Sequence, residues 1–416
     1  MISALMLSAT LTVAGNNGVA IQKTIDEAAN AGGGRVVVPA GVYEAGSLRL
    51  RSGVELHLER GAVLRGGTRS EDYFEFPDEV CSVKPEGSNR VFIYAWDAEN
   101  IAITGEGLID GRGKEFFERT RFVSWGGFWP KPERPRPRMV QFVRCRNVRL
   151  EGVTFEDSPG WTMLIRLCED IRVDGIFVNA DQRTINSDGI DFDGCKRVKV
   201  TRSRFLTGDD CLILRAMREP GSDEQIVCED VEVSDCDLDS TCQVIRMGCP
   251  SDDIIRHARF RNIRARGNNG INFDYPVRYL RPTDEGFIDI SDIVFENFSG
   301  DFTGHALRIV AGPGVKLRNV SGIHFKDCRL RSFEPLDFSG NFDSPLKGIL
   351  LENCTVDVPG KAVYVAKATE PLRLRNCVFN GAKADDRDLV TARGEREPLV
   401  RAAGVSWESA KQAKGR

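Results

Sequence analysis

A short apolar–x–apolar unit recurs along this chain, and the recurrence limits its fold more than any other feature. The units are Val148-Arg149-Leu150, Ile171-Arg172-Val173, Val198-Lys199-Val200, Val231-Glu232-Val233 and Ala258-Arg259-Phe260. They continue at Ile293-Val294-Phe295, Ile323-His324-Phe325, Ile349-Leu350-Leu351 and Leu372-Arg373-Leu374, with earlier examples at Val54-Glu55-Leu56 and Ile101-Ala102-Ile103. From Val148 onward successive starts lie 23 to 35 residues apart. Alternation at period two marks strands with one face inside and one outside. Five residues after each start from Val148 comes a second inward position: Val153, Ile176, Ser203, Cys236, Ile263, Phe298, Cys328, Cys354 and Cys377. Units this short bury no core alone, but stacked they share one. Helical patterning is nearly absent here. The expectation is an all-β parallel β-helix solenoid, one elongated domain rather than the two or three that 416 residues would otherwise suggest.

The ends read differently. Ile21, Ile25 and Ala28-Ala29 form an apolar stripe, Asn16 or Asn17 can cap it, and Gly32-Gly33-Gly34 stops it. This predicts an N-terminal capping helix over the open end of the solenoid. The expected bounds are residues 1–35 for a first strand and the capping helix, 36–380 for the solenoid, and 381–416 for a polar C-terminal wrap or tail. The twelve cysteines follow the coils. Cys145, Cys168, Cys195 and Cys228 each precede a start by three residues, and four others fill the second inward position. That is the pattern of a ladder of small buried thiols rather than of CxxC metal or redox chemistry.

Composition removes several classes. A net charge of −4 argues against a dedicated nucleic-acid binder. No run approaches the ~18 apolar residues of a membrane span. Four histidines and scattered cysteines do not make the usual zinc site, so neither metal nor cofactor is expected. Met1 to Gly15 is apolar but lacks the Lys or Arg of a secretory leader. The default expectation is therefore a native first strand and a cytoplasmic protein, with export as the alternative.

Chemistry gathers at two motifs in successive coils, Asn186-Ser187-Asp188-Gly189 and Thr207-Gly208-Asp209-Asp210. Strands ~4.8 Å apart would bring Asp188 beside the Asp209–Asp210 pair. Neighbouring residues of a straight strand face opposite ways, so both aspartates share one groove only if the backbone bends at Gly208. Clustered carboxylates repel, so one should keep its proton to a higher pH, as a general acid must. An Asp-rich turn or an outer calcium site fits the spacing as well.

The motif order resembles the polygalacturonase family, glycoside hydrolase family 28. The resembling segments are Ala31 to Tyr43, Leu56 to Ala62, Leu108-Ile109-Asp110-Gly111, Ser158-Pro159-Gly160-Trp161-Thr162, Asn186 to Asp191 and Gly208 to Arg215. The resemblance implies a right-handed parallel β-helix and inverting hydrolysis of a pectic or related polysaccharide, with no cofactor. It implies Asp209 as proton donor and Asp188 and Asp210 as the carboxylates that activate water. Carried over residue by residue, the substrate-binding positions are Trp161, Asn186, Arg215, Cys242, Gln243, Arg246, Asn272 and Asp274.

Three departures mark this chain. The family's Gly-His-Gly falls on Thr241-Cys242-Gln243, its uronate-binding Arg-Ile-Lys on Asn272-Phe273-Asp274, and the His after Ser-Pro-x-Trp-Thr on Leu164. An anion at Asp274 should repel a uronate there, unless Asp274 pairs with Arg246 and another cation holds the sugar acid. Arg246, Arg278 and Arg308 are the candidate replacement cations. Trp125 to Trp129, leading into Pro130 to Arg138, reads equally as a groove wall or as a loop packed over one coil. His257, His305 and His324 sit inside repeats and read as structural. A non-catalytic carbohydrate-binding β-helix and a β-helix lyase or epimerase are the alternatives. The expected partner is a polysaccharide or oligosaccharide, with no nucleic acid and no membrane; the sequence leaves the oligomeric state open.

Overall fold

The computed structural model describes residues 9–119, 127–281, 286–359, 363–365 and 372–384. Met1 to Ser8, Trp125 and the tail from residue 385 lie outside the described residues. The chain divides into two compact units, residues 1–191 with 195–208 and residues 192–194 with 209–416.

In the first unit the repeats pair in parallel and in the register the pattern demands. Ile101, Val148, Ile171 and Val198 align strand to strand, as do Ile103, Leu150, Val173 and Val200. All eight are buried. At roughly 1.5–3 kcal/mol for each fully buried aliphatic side chain, these columns are the main stabilising term of the coil stack. A second column aligns Phe155, Val178 and Phe205, and a third aligns Val140 with Met163 and Phe142 with Ile165.

The second unit repeats the scheme. Val231, Ala258, Ile293, Ile323, Ile349 and Leu372 align, and so do Val233, Phe260, Phe295, Phe325, Leu351 and Leu374. Phe260 stacks on Phe295 at 4.8 Å between ring centres, and Phe295 on Phe325 at 5.2 Å. Neighbouring coils therefore present like residues to one another, which suits offset aromatic stacking.

Each apolar unit is bracketed by residues in the left-handed region. Asn100, Asn147, Asp170 and Arg197 stand one residue before their starts in the first unit, with φ between 53° and 58°. Asp230, His257 and Asp292 do so in the second, with φ between 54° and 57°. Asn and Asp tolerate this conformation best, because their short polar chains bond locally. Asn147 donates to Asn100 Oδ1 at 2.6 Å, and Asn297 to Asn262 Oδ1 at 2.9 Å, so turn residues form ladders of their own.

The helix runs Gly18–Asn30, capped by Asn17, whose side chain accepts from Ala20 N. Ile21, Ile25 and Ala28 are fully buried. Gly33 closes it: its φ is 110°, and a Cβ there would stand 2.7 Å from the Gly53 carbonyl. The strand Ala9–Thr12 pairs in parallel with Gly34–Val38. All twelve cysteines are free thiols, buried except for Cys242 and Cys249, which are half-buried. At the other end Ala382–Ala384 turns back antiparallel on Cys377–Phe379. The fold is all-β, a right-handed parallel β-helix with a minor capping helix.

Candidate active site

In the first unit the loop before Ile190 carries Asn186, Ser187 and Asp188. Asn186 takes the left-handed conformation, with φ 59°, and its Oδ1 accepts from Arg136 Nη2 at 2.9 Å. Arg136 also donates to the carbonyls of Pro159 and Ile185, which ties the Asn-Ser-Asp-Gly loop to the Ser-Pro-Gly-Trp-Thr loop. The Asp188 carbonyl accepts from Thr162 N at 2.9 Å, and Asp188 itself is buried. Ser187 Oγ donates to the Thr184 carbonyl and accepts from Gly208 N at 2.9 Å. Trp161 packs under Arg138, whose guanidinium lies 5.6 Å from the indole centre. Burial pushes Arg138 down to about 10, against the pull of Cys81, Asp191, Glu86 and Asp188.

The second unit opens with the aspartate pair. The strand Arg204–Thr207 ends just before Gly208, and the next begins at Leu212, so the chain bends where two neighbouring carboxylates must share a side. Gly208 is required by close approach: a Cβ there would lie 2.4 Å from the Thr184 carbonyl and 2.7 Å from Ser187 Oγ. Asp209 is anchored by its backbone, its carbonyl accepting from Ser240 Oγ at 2.6 Å. Ser240 Oγ also accepts from Cys242 N, at a register shift between Ser240 and Gln243. Through this bulge the donor atoms of Asp209, Asp210 and Cys242 come within 4.8 Å of one another.

Asp210 is 3% exposed, and its Oδ1 has no hydrogen-bond partner. Arg246 Nη1 stands 3.7 Å from Oδ2. Burial, then the charge of Asp209, pushes Asp210 up to about 7, with Arg246 opposing. The two carboxyls therefore hold one proton between them into the neutral range. Burial and the same two aspartates raise the Cys242 thiol. Any metal taken by this trio would have to displace that proton.

Other expected positions are engaged within the fold. Arg215 forks onto Asp252, with Nε 2.8 Å from Oδ2. Asn272 is buried and donates to Gln243 Oε1. Asp274 pairs with Arg308 at 2.7 Å, and not with Arg246 as the alternative reading of the sequence had it. The reason is register: Arg246, Asn272 and Arg308 occupy one column of aligned strands, and Arg246 leans to Asp210 while Arg308 reaches Asp274. Arg278 is exposed beside Tyr279, its guanidinium 4.7 Å from the ring centre. Leu164 is fully buried. Of the Trp125 to Trp129 stretch, Gly127, Phe128 and Trp129 are described; Gly127 is exposed, and Phe128 and Trp129 pack inward. Ser240, Arg136 and Arg138 were not among the expected site residues; their signals, a serine before a bulge and arginines in a Pro-rich run, carry no fixed spacing.

Glycosyl hydrolases family 28 matches residues 30–228. A probable polygalacturonase of Vitis vinifera is 25% identical over 80% of this chain and 69% of its own length. The hyperthermoactive exopolygalacturonase of Thermotoga maritima shares the fold at TM-score 0.74, covering 94% of this chain and 95% of its own, with 20% identity. PfbA, a surface adhesin of Streptococcus pneumoniae, shares it at TM-score 0.63 and 15% identity, covering 96% of this chain and 98% of its own. The fold alone thus serves adhesin and hydrolase, and residues must decide between them. Its motifs, its family match over residues 30–228 and its relatives agree in likening the chain to the polygalacturonase-like glycoside hydrolases of family 28.

Proposed function

We propose that the chain cleaves a glycosidic bond of a pectic or related polysaccharide by inverting acid–base hydrolysis. Asp209 gives the proton to the glycosidic oxygen, and Asp188 and Asp210 activate the water. The observation that supports this is the aspartate pair, which keeps one proton into the neutral range while half-buried Asp209 remains open to a substrate. Asp210 lies beneath it against Arg246. The role of Asp188 rests on the order of its motif and the motif after it. Inverting enzymes set acid and base ~6.5–9.5 Å apart to admit water. A purely sugar-binding coil has no use for a carboxyl pair carrying one proton with one member buried.

The altered subsite belongs to the same proposal. Where the family presents Arg-Ile-Lys, this chain presents an amide bonded to Gln243 and an Asp274–Arg308 pair. Arg308 cancels the repulsion expected from Asp274, and the position is polar and neutral as a whole. It suits a neutral or esterified sugar, which gives and takes hydrogen bonds, better than a free carboxylate. The test is Asp209→Asn, assayed on pectic, rhamnogalacturonan and neutral oligosaccharides. Hydrolysis should fall about 10²–10⁴-fold with the fold intact, and proton NMR of the first wild-type product should show the inverted anomer. Wild-type turnover in the variant, or a retained anomer, removes the mechanism.

A further inference from the structure

In the first unit the strands nearest the Asn-Ser-Asp-Gly loop are covered on the side that faces away from the coil interior. Val140 and Phe142 of the strand Arg138–Val143 point into the stack, so Gln141 and Val143 point out of it. Strand register gives two outward rows, Tyr94, Gln141 and Leu164, and Trp96, Val143 and Arg166. Gln141, Val143, Leu164 and Arg166 are nevertheless fully buried, and Tyr94 and Trp96 are half-buried. Over Arg90–Trp96 and Arg138–Val143 the cover is residues 74–89. Phe74–Glu75 pairs antiparallel with Arg90–Trp96, and Phe74 stacks on Tyr94 at 4.4 Å and on Trp96 at 5.8 Å between ring centres. Phe76 meets both rings edge-on at 5.7 Å and joins Cys81, Val91 and Val143 in one buried cluster. Gln141 Nε2 donates to Cys81 Sγ at 3.7 Å, Asn89 Nδ2 to the Cys81 carbonyl at 2.7 Å, and Arg144 Nη1 to the Val80 carbonyl at 2.8 Å. Moving this wall would bare aromatic surface to water, so it belongs to the fold and is not a gate.

We propose that residues 74–89 close the substrate cleft at one end, so that this protein takes the end of a glycan chain rather than its middle. The inference rests on the hydrolase reading above and adds its mode of attack, release from a terminus (exo action) instead of internal cleavage. A glycan that reaches Asp188 and continues toward the earlier coils must cross the outward faces of Met163–Arg166 and Arg138–Val143. Thr162 N bonds the Asp188 carbonyl, and Met163–Arg166 pairs with Arg138–Val143. The wall therefore begins two coils, roughly 10 Å, from the coil of Asp188. Between them lies a cavity of about 300 Å³, whose lining includes Gly87 and Ser88 of the wall, Trp161 and Asn186. That is the small end of ligand sites, room for a chain terminus but not for a chain passing through.

Calorimetric titration of full-length Asp209→Asn, which stops turnover during the measurement, tests this. The ligand is methyl-esterified hexagalacturonate in three forms: uncapped, capped at the reducing end with 2-aminobenzamide, and capped at the non-reducing end with a 4-O-benzyl group. One cap should weaken binding about tenfold or more, as bulk pressed on a rigid wall does, and the other should leave it unchanged. In the same background, a second variant replaces residues 77–88 by Asn-Gly, a link that the 3.2 Å bond from Phe76 N to the Asn89 carbonyl permits. It should recover binding of the rejected form. Equal binding of both capped forms, loss of both, no binding of any form, or a folded loop variant that still rejects the same cap overturns the closed end. If the loop variant does not fold, the capped forms on the intact loop decide alone. Rejection of one cap without hydrolysis of any oligosaccharide by the wild type would leave the closed end standing and remove the hydrolase. Hydrolysis with both caps tolerated would do the reverse.

Discussion

Burial beside Asp209 pushes the Asp210 carboxyl up to about 7, well above the usual carboxylate range. Its uncharged form is the one the fold prefers, so the folded state binds the proton more tightly than the unfolded chain. The cost of ionising it is absent below about pH 4, grows as pH rises toward 7, and is complete above that. At roughly 1.4 kcal/mol per pKa unit it amounts to several kcal/mol. Asp210→Asn removes the cost, and should be stabilised relative to wild type at pH 8 far more than at pH 4, while losing activity. Urea unfolding at the two pH values checks this, and an equal gap at both would deny that Asp210 carries the shift. Asp274 makes a second residue-scale case. Asp274→Asn frees Arg308 of its partner and leaves a cation where the family's basic pair would lie. Cleavage of unesterified polygalacturonate should rise several-fold relative to a neutral oligomer. If competing rates on the two substrates keep their wild-type ratio, the subsite lies elsewhere.

At the scale of elements, the site depends on two interruptions of the strand ladders. One is the bend at Gly208, held by Ser187 Oγ and crowded by the Thr184 carbonyl. The other is the bulge after Ser240, which brings Cys242 back toward the aspartates. Gly208→Ala places a methyl group against backbone that cannot yield. It should destabilise by roughly 1–3 kcal/mol, and by displacing the next residue, Asp209, it should cut turnover at least tenfold. Thermal unfolding and kcat measured on one preparation check both. A variant with lowered stability and unchanged kcat would show that the bend does not set the acid's position.

For the molecule as a whole, the thiol ladder is the clearest test of the coil architecture. Ten cysteines are buried, and all twelve are free. Native protein should therefore react with a thiol reagent at no more than the two half-buried positions, Cys242 and Cys249, and at twelve after denaturation. Raising of the Cys242 thiol by burial should make even that position slow. A native count near twelve would contradict the packing of the columns.

The apolar–x–apolar units by themselves determined the coil stack, because period-two burial repeated at a coil's length admits few other solutions. They also determined the register, since a slip of one residue would turn each column to solvent. The helix and its stop were equally legible, and the order of the two acidic motifs was enough to mark the candidate catalytic carboxylates. Left-handed residues at the turns were legible only in hindsight. Asn and Asp suit that conformation, but Arg197 and His257 adopt it too, where stacking overrides local preference. What only the tertiary structure decided is which charge answers which. Asp274 took Arg308, Arg215 took Asp252, and Arg246 went to Asp210. Those choices depend on side-chain reach across aligned strands and on burial that strengthens one pairing over another, and neither is written in the spacing of residues along the chain.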